Sequence, residues 1–124
     1  MKIAVDAMGG DNAPSALVEG AILAYRELGI ESILIGNPEK IDAEFVRLGA
    51  RGLPIEIREA TQVIEMGESP SRSLRSKTDS SMRVAAELVK SGDAEAVFSA
   101  GDTGGAFAVS LHVLQRMKGV LRPA

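Results

Sequence analysis

A short apolar run, a glycine-rich break and a helical stripe follow one another at the start of the chain, and the same order of signals then recurs. Lys2-Ile3-Ala4-Val5-Asp6 is apolar and partly β-branched, as a buried strand is. It runs into Ala7-Met8-Gly9-Gly10-Asp11-Asn12-Ala13-Pro14, a loop rich in chain breakers. Pro14 and Ser15 suit a first helical turn, Leu17, Ala21, Ala24 and Leu28 recur at helical spacing, and Gly29 supplies a stop. Strand, glycine loop and helix in that order open a βαβ unit. Ser32 to Gly36 predicts a second buried strand, and a helix follows from about Glu39 to Leu48 with Ile41, Phe45 and Leu48 on one face. Leu53 to Ile57 alternates like a half-exposed third strand. Asp79-Ser80-Ser81 reads as a helix start, with Met82, Ala85, Ala86 and Val89 as its stripe. Ala94 to Ser99 predicts a fourth strand, Gly101 to Gly105 a loop, and a last helix reaches about Lys118.

Such alternation predicts an α/β fold, a Rossmann-like three-layer sandwich with a mostly parallel sheet covered on both faces. Right-handed crossovers bring the loops after the strands to one sheet edge, where ligands bind in folds of this kind. At 124 residues the chain holds one domain with a real core.

Charge and composition narrow the function classes. A formal charge of −3, three Phe, one Tyr and no Trp give neither a basic footprint nor stacking platforms for nucleic acid. The absence of cysteine removes disulfides, thiolate catalysis and cysteine-based zinc sites. The opening apolar run is too short for a signal peptide or a membrane span, so a cytoplasmic location is expected.

Three stretches carry chemistry. In residues 6 to 14 the adjacent Gly9 and Gly10 let the backbone turn sharply and approach a ligand, and the following helix offers free N–H groups to an anion. A tight turn with Asp11 or Asn12 as helix cap explains the same residues. The stretch is not GxGxxG, and no acid ends the second strand, which disfavours a nicotinamide enzyme. In residues 99 to 105, Thr103 and the amides of 103 to 105 can form a phosphate or oxyanion nest, or merely a compact connection. No Gly-Lys-Ser/Thr follows, so it is not a P-loop. In residues 61 to 82, Arg72, Arg75 and Lys77 lie among six serines, at positions 69, 71, 73, 76, 80 and 81, beside Asp79. Cations flanked by hydroxyls suit a phosphate or a phosphopantetheine arm, whereas composition alone fits a solvated loop. A long irregular connection in a compact domain is often functional.

Four segments, drawn from these stretches and their flanks, stand in a telling order. MKIAVDAMGGDNAP at the start, IEMGESP at 64–70, KTDSSMRVAAELVK at 77–90 and SAGDTGG at 99–105 resemble the bacterial phosphate acyltransferase family along the whole chain, and the closing Arg122-Pro123-Ala124 fits too. The resemblance implies a fold similar to phosphotransacetylases and isocitrate/isopropylmalate dehydrogenases, incomplete here at the C-terminus because family chains are longer. It implies transfer of a fatty acyl group from acyl carrier protein to inorganic phosphate, giving acyl phosphate for phospholipid synthesis. Acyl carrier protein and phosphate are then the partners, with no cofactor. A homodimer and peripheral membrane contact through a segment beyond this stretch are also implied. Asp102 and Gly105 stand where the family usually has Asn and Ala. A carboxylate beside a phosphate site repels the substrate unless it turns away or is paired.

With no cysteine and with His112 inside the last helix, covalent catalysis is not expected. Phosphate is itself a competent nucleophile near neutral pH, so proximity and oxyanion stabilisation remain for the protein to supply. The expected catalytic residues are Lys77 and Thr103. The expected substrate-binding residues are Asp6, Gly9, Gly10, Asp11, Ser80, Ser81, Asp102 and Gly104. Three carboxylates, Asp6, Asp11 and Asp102, could converge on Mg²⁺, although caps and loop hydrogen bonds explain them more simply; no metal is expected. Two rival readings are an acyl-CoA-dependent phosphotransacetylase-like enzyme and a truncated or degenerate domain that binds phosphate without turnover.

Overall fold

The computed structural model describes residues 1–123 and holds four strands and five helices among them. In chain order these are β1 (Lys2–Asp6), α1 (Ser15–Leu28), β2 (Glu31–Gly36), α2 (Pro38–Arg47), β3 (Glu56–Glu59), α3 (Pro70–Ser76), α4 (Ser81–Ser91), β4 (Ala96–Ser99) and α5 (Thr103–Val113). Every strand pairing is parallel, and the sheet order is β3-β2-β1-β4.

The apolar runs of β1 and β2 are continuous because both faces of the sheet are covered. Val5 and Leu34 pack on one face with Val18, Ile22, Ile41 and Phe45 from α1 and α2. Their neighbours Ala4, Ile33 and Ile35 point to the other face and meet Ala85 and Leu88 of α4. The period of two along a strand thus divides one run between two cores. A third cluster joins Ile64, Met82, Ala86, Val109 and Val113 and seats α5 on α4.

Several boundaries differ from the sequence reading. β3 begins at Glu56 rather than Leu53, because Pro54 has no N–H to give and Ile55 N–H turns back onto the Leu53 carbonyl at 2.8 Å. β4 begins at Ala96, and α5 ends at Val113 with Gln115 in the left-handed region (φ 64°) instead of running to Lys118. In α1 the buried stripe is Val18, Ala21 and Ile22, while Leu28 is exposed. The stretch read as an irregular connection contains α3, whose Pro70 sits in the first turn, where a missing N–H costs nothing.

The chain progresses from β1 to β3 with α1 and α2 on one face, then returns with α4 on the other face to lay β4 beside β1. The direction of winding therefore reverses between β1 and β4. At such a switch point the loops leaving the two strands lead to helices on opposite faces, and ligands bind beside the strands' carboxyl ends in folds of this kind.

Candidate functional site at the β1/β4 crevice

Asp6, the last residue of β1, is 1% exposed. Its partner in register on β4 is Ser99, and the first residue of α4, Ser81, faces it from the other layer. Ser81 Oγ donates to Asp6 Oδ1 at 2.6 Å, Ser99 Oγ donates to Oδ2 at 2.8 Å, and the Met8 N–H reaches Oδ1 at 3.2 Å. A carboxylate accepts only, and here each of its oxygens meets a donor. Ser99 Oγ in turn accepts the Gly101 N–H at 3.1 Å. One side chain thus ties the loop after β1, the loop after β4 and the start of α4 together. Ser80 is buried as well, and its hydroxyl caps α4 by accepting the Arg83 N–H.

The glycines of the first loop are needed for contact between the loops. A Cβ on Gly9 would lie 2.5 Å from Asp6 Oδ2 and 2.9 Å from the Gly101 nitrogen. Gly10 has φ +96°, and a Cβ there would stand 2.9 Å from the Ala100 carbonyl oxygen. Beyond them the amides of Gly10, Asp11 and Asn12 find no acceptor among the described residues, nor does that of Thr103. Asp11, Thr103 and Gly104 are exposed. The loop carrying the open amides of Gly10, Asp11 and Asn12 lines the groove beside α1, and unengaged N–H groups are the kind of donor that an anion accepts from.

Asp102 is the N-cap of α5. Its carboxylate accepts the Gly105 N–H at 2.8 Å and the Gly67 N–H at 3.2 Å. These bonds, Gly105 first, hold its carboxyl below the usual range. The charge is therefore engaged by backbone amides, and it pins the 65–68 turn to the start of α5. Asn caps almost as well as Asp. Asp102→Asn is accordingly expected to keep most of the thermal stability and Asp102→Ala to lower the melting temperature clearly, as read by circular dichroism.

Lys77 lies beside that turn. Its ammonium contacts the Glu68 carboxylate and donates to the Val63 carbonyl at 2.5 Å, while Ser73 Oγ donates to Glu68 at 2.6 Å. The hydrogen bond from Lys77 is the main reason the Glu68 carboxyl falls from 4.5 to about 2, with Ser73 next and burial opposing. Lys77 and Asp102 thus belong to one buttress around residues 63–68, and Asp6, Ser81 and Ser99 to another beneath the crevice floor.

The family described as "Fatty acid synthesis protein" matches residues 1–124. The chain belongs to the fatty acid synthesis protein family. It is 52% identical over 124 residues to a phosphate acyltransferase of Geobacter sulfurreducens, covering all of this chain and 36% of that protein. A phosphate acyltransferase of Desulfitobacterium hafniense is 51% identical, with 37% of its length covered. The chain therefore spans just over a third of the length of these curated relatives.

In this family member the structure gathers Asp6, Gly9 and Ser81 into one network with Ser99 and Gly101, and keeps Lys77 apart, bonded to Glu68. Nothing in the sequence sets Ser99, Glu68 or Gly67 apart from the motifs that contain them. Ser99 was legible as the residue ending a strand, but its register against Asp6 was not. Among the described residues no three His, Cys, Asp or Glu side chains are grouped to hold a metal ion. His112 is exposed on α5. Among the described residues no helix is long and apolar enough to cross a membrane.

The Glu68 contacts have a pH signature. Its folded value lies below its unfolded one, so the stability it contributes is fully present above about pH 4.5 and lost as pH falls towards 2. Glu68→Gln should flatten the acid limb of a melting-temperature profile in that window and leave the neutral region less changed in slope.

Proposed function

We propose that this protein transfers a fatty acyl group from acyl carrier protein to inorganic phosphate. The observation that carries the reading is identity of about half, over every residue of the chain, to phosphate acyltransferases. The crevice between β1 and β4 adds a site of suitable chemistry. In the reaction a phosphate oxygen attacks the thioester carbonyl carbon, a tetrahedral oxyanion forms, and the carbon–sulfur bond breaks to give acyl phosphate and the carrier thiol.

Phosphate would lie against the open amides of Gly10, Asp11 and Asn12, with Thr103 and Gly104 across the crevice. Neither a metal nor a protein nucleophile is needed, since fixed N–H dipoles in a sheltered site stabilise developing charge and positioning supplies the rest. Asp6, Ser80 and Ser81 would act from beneath by setting the loops, and Lys77 with Asp102 by holding residues 63–68 against α5. Arg72 and Arg75 are exposed on α3, the helix whose Pro70 lies 3.3 Å from a Cβ built on Gly104, and would meet the carrier or its phosphopantetheine arm. The reading extends to an isocitrate/isopropylmalate dehydrogenase-like completed fold, a homodimer and peripheral contact with a membrane.

The test is acyl phosphate formation from palmitoyl-acyl carrier protein and phosphate in a family-length protein carrying these 124 residues. Turnover with the carrier thioester and not with the coenzyme A thioester is expected; the reverse preference, or none, would reject the proposal. Lys77→Ala should lower the rate by at least ten-fold, and an unchanged rate would remove Lys77 from the site.

A further inference from the structure

The strand ends away from the β1/β4 crevice form a second hollow. Parallel pairing sets Asp6 beside Ile35 and Gly36 beside Glu59, so the residues that follow β1, β2 and β3 meet along one sheet edge. They enclose a cavity of about 290 Å³ that shares no residue with the groove beside α1. Met8 forms its floor. The side chain lies on the end of β2, where a Cβ on Gly36 would come within 2.7 Å of Met8 Sδ, so only glycine leaves room for it. Asn37, Pro38 and Lys40 make one wall, and Glu59, Thr61 and Val63 the other.

The second wall is held from behind. Thr61 N–H and Oγ1 both donate to Asp79, at 2.9 and 2.6 Å, and the Val63 carbonyl accepts from Lys77 at 2.5 Å. Thr61 Oγ1 thereby keeps its lone pairs for a donor in the cavity. Lys40 and Glu59 are exposed, and neither has an ion-pair partner among the described residues. The cavity therefore offers a cation, a carboxylate and a hydroxyl acceptor around an apolar floor.

That set of groups selects among ligands. A fatty chain would leave both charges facing hydrocarbon. A nucleobase needs an aromatic face to stack on, and no aromatic residue lines the cavity. A slender chain that alternates apolar segments with amide N–H groups and ends in a phosphate ester meets every group present. Building on the acyl-transfer reading above, we propose that this cavity receives the phosphopantetheine arm of the thioester donor. The phosphate ester lies at Lys40, amide N–H groups reach Glu59 and Thr61 Oγ1, and the geminal dimethyl group covers Met8. The reacting end is close by. Met8 precedes Gly10 by two residues, so at most about 7 Å separates their Cα atoms. The arm crosses that distance over the glycine loop and sets the thioester carbonyl before the amides of Gly10 to Asn12. Arg72 and Arg75 are then left to the body of the carrier. Coenzyme A carries the same arm, and the test separates the two sources.

Palmitoyl thioesters of phosphopantetheine, pantetheine and N-acetylcysteamine would be compared in the family-length protein carrying these 124 residues. With the native residues, kcat/KM should fall about ten-fold or more at each shortening of the arm. Lys40→Ala should raise KM for the phosphopantetheine thioester by about ten-fold, the loss of one charge-assisted hydrogen bond. The pantetheine thioester has no phosphate, and its KM should change by less than about two-fold. The carrier thioester should follow the phosphopantetheine one. Equal kcat/KM for the three thioesters would overturn the proposal, as would a Lys40→Ala effect of one size on both pantetheine compounds. Discrimination by Arg72→Ala instead of Lys40→Ala would move the phosphate ester to α3 and overturn it too. So would a Lys40→Ala effect confined to the coenzyme A thioester. No turnover with any thioester would sink acyl transfer itself and this cavity's role with it, whereas turnover indifferent to the arm rejects the cavity alone.

Discussion

Gly9→Ala is expected to lose about 3 kcal/mol of folding stability, read as a lower urea midpoint at unchanged slope. The cause is space. The added methyl would sit 2.5 Å from Asp6 Oδ2 and 2.9 Å from the Gly101 nitrogen. Neither neighbour can yield cheaply, since one is backbone and the other is a carboxylate held by Ser81, Ser99 and the Met8 amide. Moving Asp6 aside breaks those bonds, and moving Gly101 shifts the loop that leads into α5. Gly20 is the internal control. It lies mid-helix in α1, and a methyl added there would meet nothing within 4 Å, so Gly20→Ala should stabilise by about 0.5–1 kcal/mol. Equal effects at the two positions would mean that the loops do not touch.

Asp6→Ala should be at least as severe, at roughly 3 to 5 kcal/mol. Two serine hydroxyls and an amide would lose their acceptor, and Ser81, at 1% exposed, lies out of reach of bulk solvent. Hydrogen bonds to a charged group contribute about 1.5–3 kcal/mol each, and a buried orphaned donor costs about 1–3. Asp6→Asn keeps one acceptor oxygen but turns an NH₂ towards a hydroxyl that now has to reverse its own bond, so an intermediate loss is expected. Calorimetric melting of the three proteins distinguishes the cases: an alanine variant as stable as the asparagine one would show that the network contributes little. Both substitutions should also loosen the loops, seen as faster amide exchange at Gly101 and Met8, whose N–H groups are tied into the network.

The two buttresses explain why chemistry-bearing motifs in this sequence point more to positioning than to contact. Read by composition, Asp6, Ser81 and Lys77 are ready ligands for an anion. In the fold each has found a partner within the chain, and the groups left open are backbone amides, which no composition reports. Asp102 shows the same thing. In the sequence it is an unwelcome negative charge in a loop expected to receive phosphate, whereas in the structure Gly105 and Gly67 occupy its carboxylate. Its place just ahead of a helix was visible in advance; its second bond, across 35 residues of chain, was not.

The sequence by itself determined the alternation of strands and helices, the parallel sheet, the glycine loops after β1 and β4 and the family. Each of these rests on local periodicity, on breakers or on linear order. Only the tertiary structure decided that β4 lies beside β1, that Ser99 and Ser81 converge on Asp6, and that Lys77 commits its charge to Glu68. These depend on register and on the reversal of winding across the sheet. A one-residue shift in either strand would send Asp6 or Ser99 to the opposite face, and no local pattern fixes that choice.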